Sequence, residues 1–120
     1  MTEKRKSERR GRFAEHFAVA ILSLKGYRIL ARRWKCSVGE IDIIASRNGT
    51  LVFVEVKSRK SVTSAIEAVG WQNRRRIEQA ASAYAQTKRL TPVPVFRFDV
   101  FAMSGWRNWQ HRRDAWRSGD

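Results

Sequence analysis

Residues 39–59 read GEIDIIASRNGTLVFVEVKSR. Two runs rich in Val, Ile and Phe, 38–46 and 51–58, flank Asn48-Gly49. That dipeptide suits the positive φ that both central positions of a type I′ turn require. The stretch therefore predicts a β-hairpin. With a two-residue turn, Arg47 faces Thr50, Ile44 faces Phe53, Asp42 faces Glu55 and Glu40 faces Lys57. Side chains alternate along a strand. Glu40, Asp42, Glu55 and Lys57 are thus expected on one face, and Ile41, Ile43, Val54 and Val56 on the other. Directly opposed like charges destabilise a strand pair, and Asp is depleted in strands. The chain has only eleven Asp and Glu, so Glu40, Asp42 and Glu55 on one patch call for a counter-charge. A divalent cation supplies it, since carboxylate oxygens are the hard donors Mg²⁺ takes. The alternative is a polar outer face with Lys57 paired to Glu40 and Glu55. A one-residue slip would also send Asp42 and Glu55 to different faces.

Working outward, Phe13, Phe17, Ala20, Ile21 and Leu24 recur at helical spacing. They predict a helix over 12–25 with these residues as its buried stripe, closed by Gly26. Glu15 sits at the stripe's margin and reads as a solvated first-turn carboxylate. Residues 1–10 carry Lys4, Arg5, Lys6, Arg9 and Arg10 and predict a basic flexible arm. Residues 27–35 predict an edge strand. Residues 64–86 predict a helix broken near Gly70, with Ser64 and Glu67 at capping-box spacing. Its buried stripe is Ile66, Ile77, Ala81 and Tyr84. Residues 95–103 predict a strand, with Phe96, Phe98 and Val100 on one face. The segment 105–120 contains Trp106, Trp109 and Trp116. It is expected to pack on the domain, 11–104, or to sit at an interface, which leaves a homodimer open. The order αβββαβ is an α/β architecture, a mixed sheet of about four strands flanked by helices.

The 120 residues suit one domain. Twenty-five Lys and Arg against eleven Asp and Glu give a charge of +14. Nucleic acid is the natural partner of such a surface, because Lys and Arg displace counterions from phosphates; acidic lipid or an acidic protein are the alternatives. Cys36 is the single cysteine, so no intrachain disulfide forms and a reducing, cytoplasmic setting is expected. No stretch approaches the roughly 18 apolar residues of a membrane helix, so no membrane partner is expected.

The blocks Gly39-Glu40-Ile41-Asp42-Ile43-Ile44-Ala45 and Phe53-Val54-Glu55-Val56-Lys57-Ser58-Arg59 resemble the signature of the YraN-type family of small bacterial proteins. That family is similar to the PD-(D/E)xK nucleases, the restriction endonuclease-like and Holliday-junction resolvase-like superfamily. Gly11-Arg12 with Glu15, Glu67-Ala68-Val69, Arg76-Ile77, Arg97-Phe98-Asp99-Val100 and Asp114-Ala115-Trp116 look like further family blocks. The resemblance implies an endonuclease-like fold and Mg²⁺ or Mn²⁺ bound by Asp42, Glu55 and the carbonyl of Val56. It implies Lys57 as the residue that orients water, and Glu15 as a fourth member of the catalytic set. The implied substrate is DNA, in repair or recombination. Arg59, Arg74, Arg75 and Arg76 are the candidate phosphate contacts. Asn73 followed by Arg74 stands where the family commonly has a Lys, and Ala14 where it commonly has Gly. The first departure keeps a second reading alive: a nucleic-acid-binding protein with the nuclease fold and little or no cleavage.

Overall fold

The computed structural model describes residues 2–119. Its elements are α1 (Glu3–Leu24), β1 (Arg28–Cys36), β2 (Gly39–Arg47), β3 (Thr50–Ser58), α2 (Val62–Glu67), α3 (Trp71–Thr87), β4 (Val95–Met103) and β5 (Trp109–Trp116). The strands form one sheet in the order β1-β2-β3-β4-β5. β3 and β4 run parallel, and the other neighbours are antiparallel. The parallel step is possible because α2 and α3 supply the crossover that such a connection needs. The expected mixed α/β fold is present, and it is compatible with a restriction endonuclease-like arrangement.

The three central strands, β2, β3 and β4, are buried on both faces. Against α1, Ile43, Ala45, Val52, Val54, Phe101 and Met103 meet Ala14, Ala18 and Leu22. Against α2 and α3, Ile41, Ile44, Leu51, Phe53, Phe98 and Val100 meet Ala65, Ile77, Ala81 and Tyr84. β3 and β4 lie between these layers, which explains the unbroken burial from Leu51 to Glu55.

Several expectations need correction. Residues 3–10 are not an arm but the first turns of α1, and the Thr2 side chain caps them by accepting from the Arg5 N–H at 3.2 Å. The stripe on α1 is rotated from the one expected. Phe13 is 50% and Leu24 84% exposed, whereas Ala14, Glu15, Ala18 and Leu22 are buried. The small side chains let the helix lie close to the sheet, and that choice turns Glu15 inward. The capping box belongs to Ser61 and Ser64, not Ser64 and Glu67. Residues 105–120 contribute a fifth strand, β5, rather than a tail laid on the domain. Trp116 stacks on Phe98 at 5.2 Å and Trp109 on Phe101 at 5.4 Å, so one aromatic anchors each face.

The hairpin turn is as expected. Arg47 pairs with Thr50, Ile44 with Phe53 and Ile43 with Val54. Asn48 and Gly49 both have positive φ, 52° and 79°. Beyond Ile43↔Val54 the two strands part. β2 continues only with β1, and β3 only with β4 as far as Ser58↔Met103. At the parting the alternation along β2 resets. Ile41 joins Ile44 on the α3 side, while Ile43 lies on the α1 side, so Ile41 and Ile43 do not share a face. Across the ladder Arg33 has φ 49°, and the Arg33–Asp42 position is skipped between Arg32↔Ile43 and Trp34↔Ile41. A paired irregularity of this kind re-aims side chains at a strand end.

Candidate metal centre at the strand fork

The fork between β2 and β3 is held open by a side chain. Asp42 Oδ2 accepts the Val56 N–H at 2.8 Å, taking the bond a β2 carbonyl would otherwise accept. Within one strand residue the N–H and C=O point the same way. The Val56 carbonyl therefore also faces the fork, past the last β2–β3 pair.

Glu55 reaches the same place from the other direction. It is 6% exposed, and Asn73 Nδ2, in the first turn of α3, donates to its Oε2 at 3.2 Å. Its carboxyl lies against that of Asp42. Burial pushes the Glu55 pKa up, and Asp42 raises it further. Lys57 and Asn73 pull it back down, leaving it at about 9. Burial and the neighbouring Asp42 carboxyl thus both favour the protonated form of Glu55.

Glu15 is buried near the fork, but its carboxylate is taken. Arg32 Nη2 donates to Oε1 at 3.0 Å and Arg33 Nε to Oε2 at 2.8 Å. Glu15 holds the Arg33 guanidinium firmly in its charged form, with smaller contributions from Glu40 and Asp42. Glu15, Arg33, Asp42 and Val56 line one cavity of about 320 Å³, with Glu8, Gly11 and Arg12 on its α1 wall.

The structure thus brings Asp42, Glu55 and Val56 together and sets Glu15 on the wall of the cavity that Asp42 and Val56 line. Lys57 is half-buried, and its charge acts on Glu55. Glu40 is not opposite Lys57. It pairs with Lys35 of β1 and is exposed. Among the described residues no three His, Cys, Asp or Glu side chains gather closely enough to enclose a metal ion. Two carboxylates and a carbonyl still match Mg²⁺ or Mn²⁺, because Mg²⁺ usually takes one or two carboxylates and keeps waters and substrate phosphate.

The arginines read as phosphate contacts divide. Arg59 is exposed and donates to the Ser58 carbonyl at 2.8 Å. Arg74 donates to the Val69 carbonyl at 3.1 Å and lies over the Trp116 ring. Arg75 pairs with Glu78 at 2.9 Å and lies over Trp71. Arg76 is exposed where α3 crosses Gly39. None of the four lines the Asp42 cavity. Three residues with a visible part at the site were not singled out for it from sequence. From sequence Asn73 stands out only as a departure from the family's Lys. Arg32 and Arg33 lacked any sequence signal, because their role depends on an irregular φ and on how α1 is turned.

The chain matches the family model described as "Uncharacterised protein family UPF0102" over residues 14–103. It is 47% identical over 104 residues to a UPF0102 protein of Mesorhizobium japonicum, covering 87% of this chain and 83% of that one. It is 43% identical over 113 residues to one of Agrobacterium fabrum, covering 94% and 93%. To one of Maricaulis maris it is 41% identical over 117 residues, covering 98% and 92%.

Proposed function

From the premise that this chain belongs to the uncharacterised protein family UPF0102 (YraN-type), we propose that it is a metal-dependent endonuclease hydrolysing phosphodiester bonds in DNA. One observation carries the proposal. Glu55 is buried against Asp42 at an opened strand fork, with Asp42 held by the Val56 N–H and Glu55 by Asn73, and both its burial and Asp42 push its pKa up. Such a pair costs stability unless it does something.

The division of labour follows from the fork. Asp42, Glu55 and the Val56 carbonyl would hold a divalent cation. Bound there, the cation would polarise a phosphate oxygen and lower the pKa of a coordinated water. Asp42 is kept in place by the Val56 N–H, and Glu55 by Asn73. Lys57, following on the same strand, aligns the attacking water and offsets the charge that develops on the phosphate oxygens. Water adds to phosphorus, the P–O bond to the leaving strand breaks, and the water proton ends on the leaving oxygen or in solvent.

The test is incubation with branched, flap and single-stranded DNA in Mg²⁺ or Mn²⁺, alongside Asp42→Ala and Lys57→Ala. Wild type is expected to cut and both variants to lose at least about a hundredfold in rate. Cleavage undiminished in both variants would exclude the fork as the site. A second reading, binding without cleavage, has its own support: Glu15 is tied to two arginines, and Asn73 stands where the resemblance implies Lys. Tight DNA binding by wild type with no cut under any of these conditions would favour it. No helix among the described residues is long and apolar enough to cross a membrane.

A further inference from the structure

The outer half of α1 continues the wall of the fork cavity. Arg5, Glu8, Arg9, Arg12, Glu15 and His16 fall at spacings of three and four, which places them on one side of a helix. Three concavities run along that side. The first holds Asp42, Val56, Arg33 and Arg12. The second holds Arg12, Glu15, His16, Arg32 and Arg33. The third holds Arg5, Glu8, Arg9 and Arg12. Arg12 borders all three, so they form one trough leading away from the fork.

We propose that this trough seats the phosphodiester backbone of the DNA strand running away from the scissile phosphate. The proposal rests on the nuclease reading above and names where its substrate is gripped. Arg5, Arg9 and Arg12 border the trough as its principal guanidinium groups, Arg32 and Arg33 line it while holding Glu15, and Glu8 is the other carboxylate before Asp42 is reached. Glu15 is already neutralised by Arg32 and Arg33. Residues 3–13 are exposed on every side, so a stretch of this helix buries nothing of its own that would explain the arginines. From Arg5 to Arg12 the helix rises about 10 Å, the axial length of roughly three phosphates on one strand of a duplex. The α3 arginines are less suited to the task, since Arg74 and Arg75 are spent on Val69, Glu78 and two tryptophans.

The same helix supplies a matched control. Lys6 and Arg10 lie on its other side, away from all three concavities. The experiment measures binding of a labelled DNA duplex in EDTA, between 50 and 200 mM salt, for wild type, R5A/R9A and K6A/R10A. Each double variant removes two charges and adds two good helix formers. R5A/R9A is expected to flatten the slope of log affinity on log salt by about 1.8. Its loss of affinity across that fourfold salt range would then be about tenfold smaller than wild type's. K6A/R10A is expected to change the slope by less than half as much. Equal effects of the two variants, no effect of R5A/R9A, or no binding by wild type would each overturn the proposal. Poly-glutamate competing as well as DNA at matched charge would overturn it in favour of an acidic protein partner. Because no cleavage is needed in EDTA, a wild type with this salt pattern that never cuts in Mg²⁺ removes the nuclease reading and leaves the trough. One that cuts but keeps its slope in R5A/R9A removes the trough and leaves the nuclease.

Discussion

Glu55 carries a proton through neutrality because it is buried beside Asp42, and this ties stability to pH in an unusual direction. Its folded pKa is raised above the unfolded value. The contribution is therefore fully present below about pH 4.5 and is lost as pH rises through about 9. Metal-free protein should weaken between those limits. Glu55→Gln should flatten that fall and raise stability at pH 8 by about 2–4 kcal/mol. Urea unfolding at pH 5.5 and 8.5 reads this out, and an equal fall in the variant would contradict it. Metal should act oppositely, because a bound cation must displace the proton. The thermal shift produced by Mn²⁺ is expected to grow from pH 6 to pH 8.5 and to vanish in Asp42→Asn. A shift independent of pH would show that Glu55 is not a ligand. Asn73→Lys should lower the Glu55 pKa by setting an ammonium where an amide now donates. The alkaline loss of stability would then shrink.

At the scale of elements, α1 does two jobs with one helix. Its inner half packs Ala14, Ala18 and Leu22 on the sheet and ends in a Schellman cap. The Gly26 N–H donates to the Ser23 carbonyl and the Tyr27 N–H to that of Leu22, both at 3.0 Å. Gly26 has φ 94°, so Gly26→Ala should cost about 1 kcal/mol. Its outer half contains Gly11, where an added Cβ meets nothing within 4 Å. Gly11→Ala should stabilise by about 0.5–1 kcal/mol on helix propensity alone. Melting temperatures moving in the same direction for both would refute this account of the helix. The apolar spacing in α1 announced a helix but not its rotation. Phe13, Phe17 and Leu24 are the larger side chains, yet the close contact with β3 went to alanines. Strand existence was readable in β2, β3 and β4 from alternation and from Asn48-Gly49. β5 was not, because its polar run from Gln110 to Asp114 resembles a solvated tail until β4 offers it an edge.

Across the whole molecule, a second polar cluster lies on the α1 face, where Asp99 of β4 pairs with Val54 one strand over from the fork. Asp99 is fully buried, and it accepts from Arg97 Nη2 and His111 Nε2 at 2.7 Å and from the Asp114 N–H at 3.0 Å. Burial alone would raise its pKa, but the bonds from His111, Arg97 and Asp114 outweigh it and hold the carboxyl below its ordinary value. This contribution is present above the unfolded pKa and is lost as pH falls through the folded one. It joins β4, β5 and Tyr27, whose hydroxyl accepts from Arg97. Asp99→Ala should cost about 3–5 kcal/mol by stranding Arg97 and His111; a loss under about 1 kcal/mol in denaturant unfolding would refute the pairing. The amino-acid sequence by itself determined the hairpin, its register as far as Ile43 and Val54, the mixed α/β order and the approach of Asp42 to Glu55. Those follow from local rules, namely turn chemistry and side-chain alternation. Only the tertiary structure decided that β2 and β3 part at Asp42, that Ile41 changes sides and that Glu15 is turned inward onto Arg32 and Arg33. It also decided that Asn73 meets Glu55. Each of these is a choice between competing packings and hydrogen-bond partners far apart in the chain, and no local pattern ranks them.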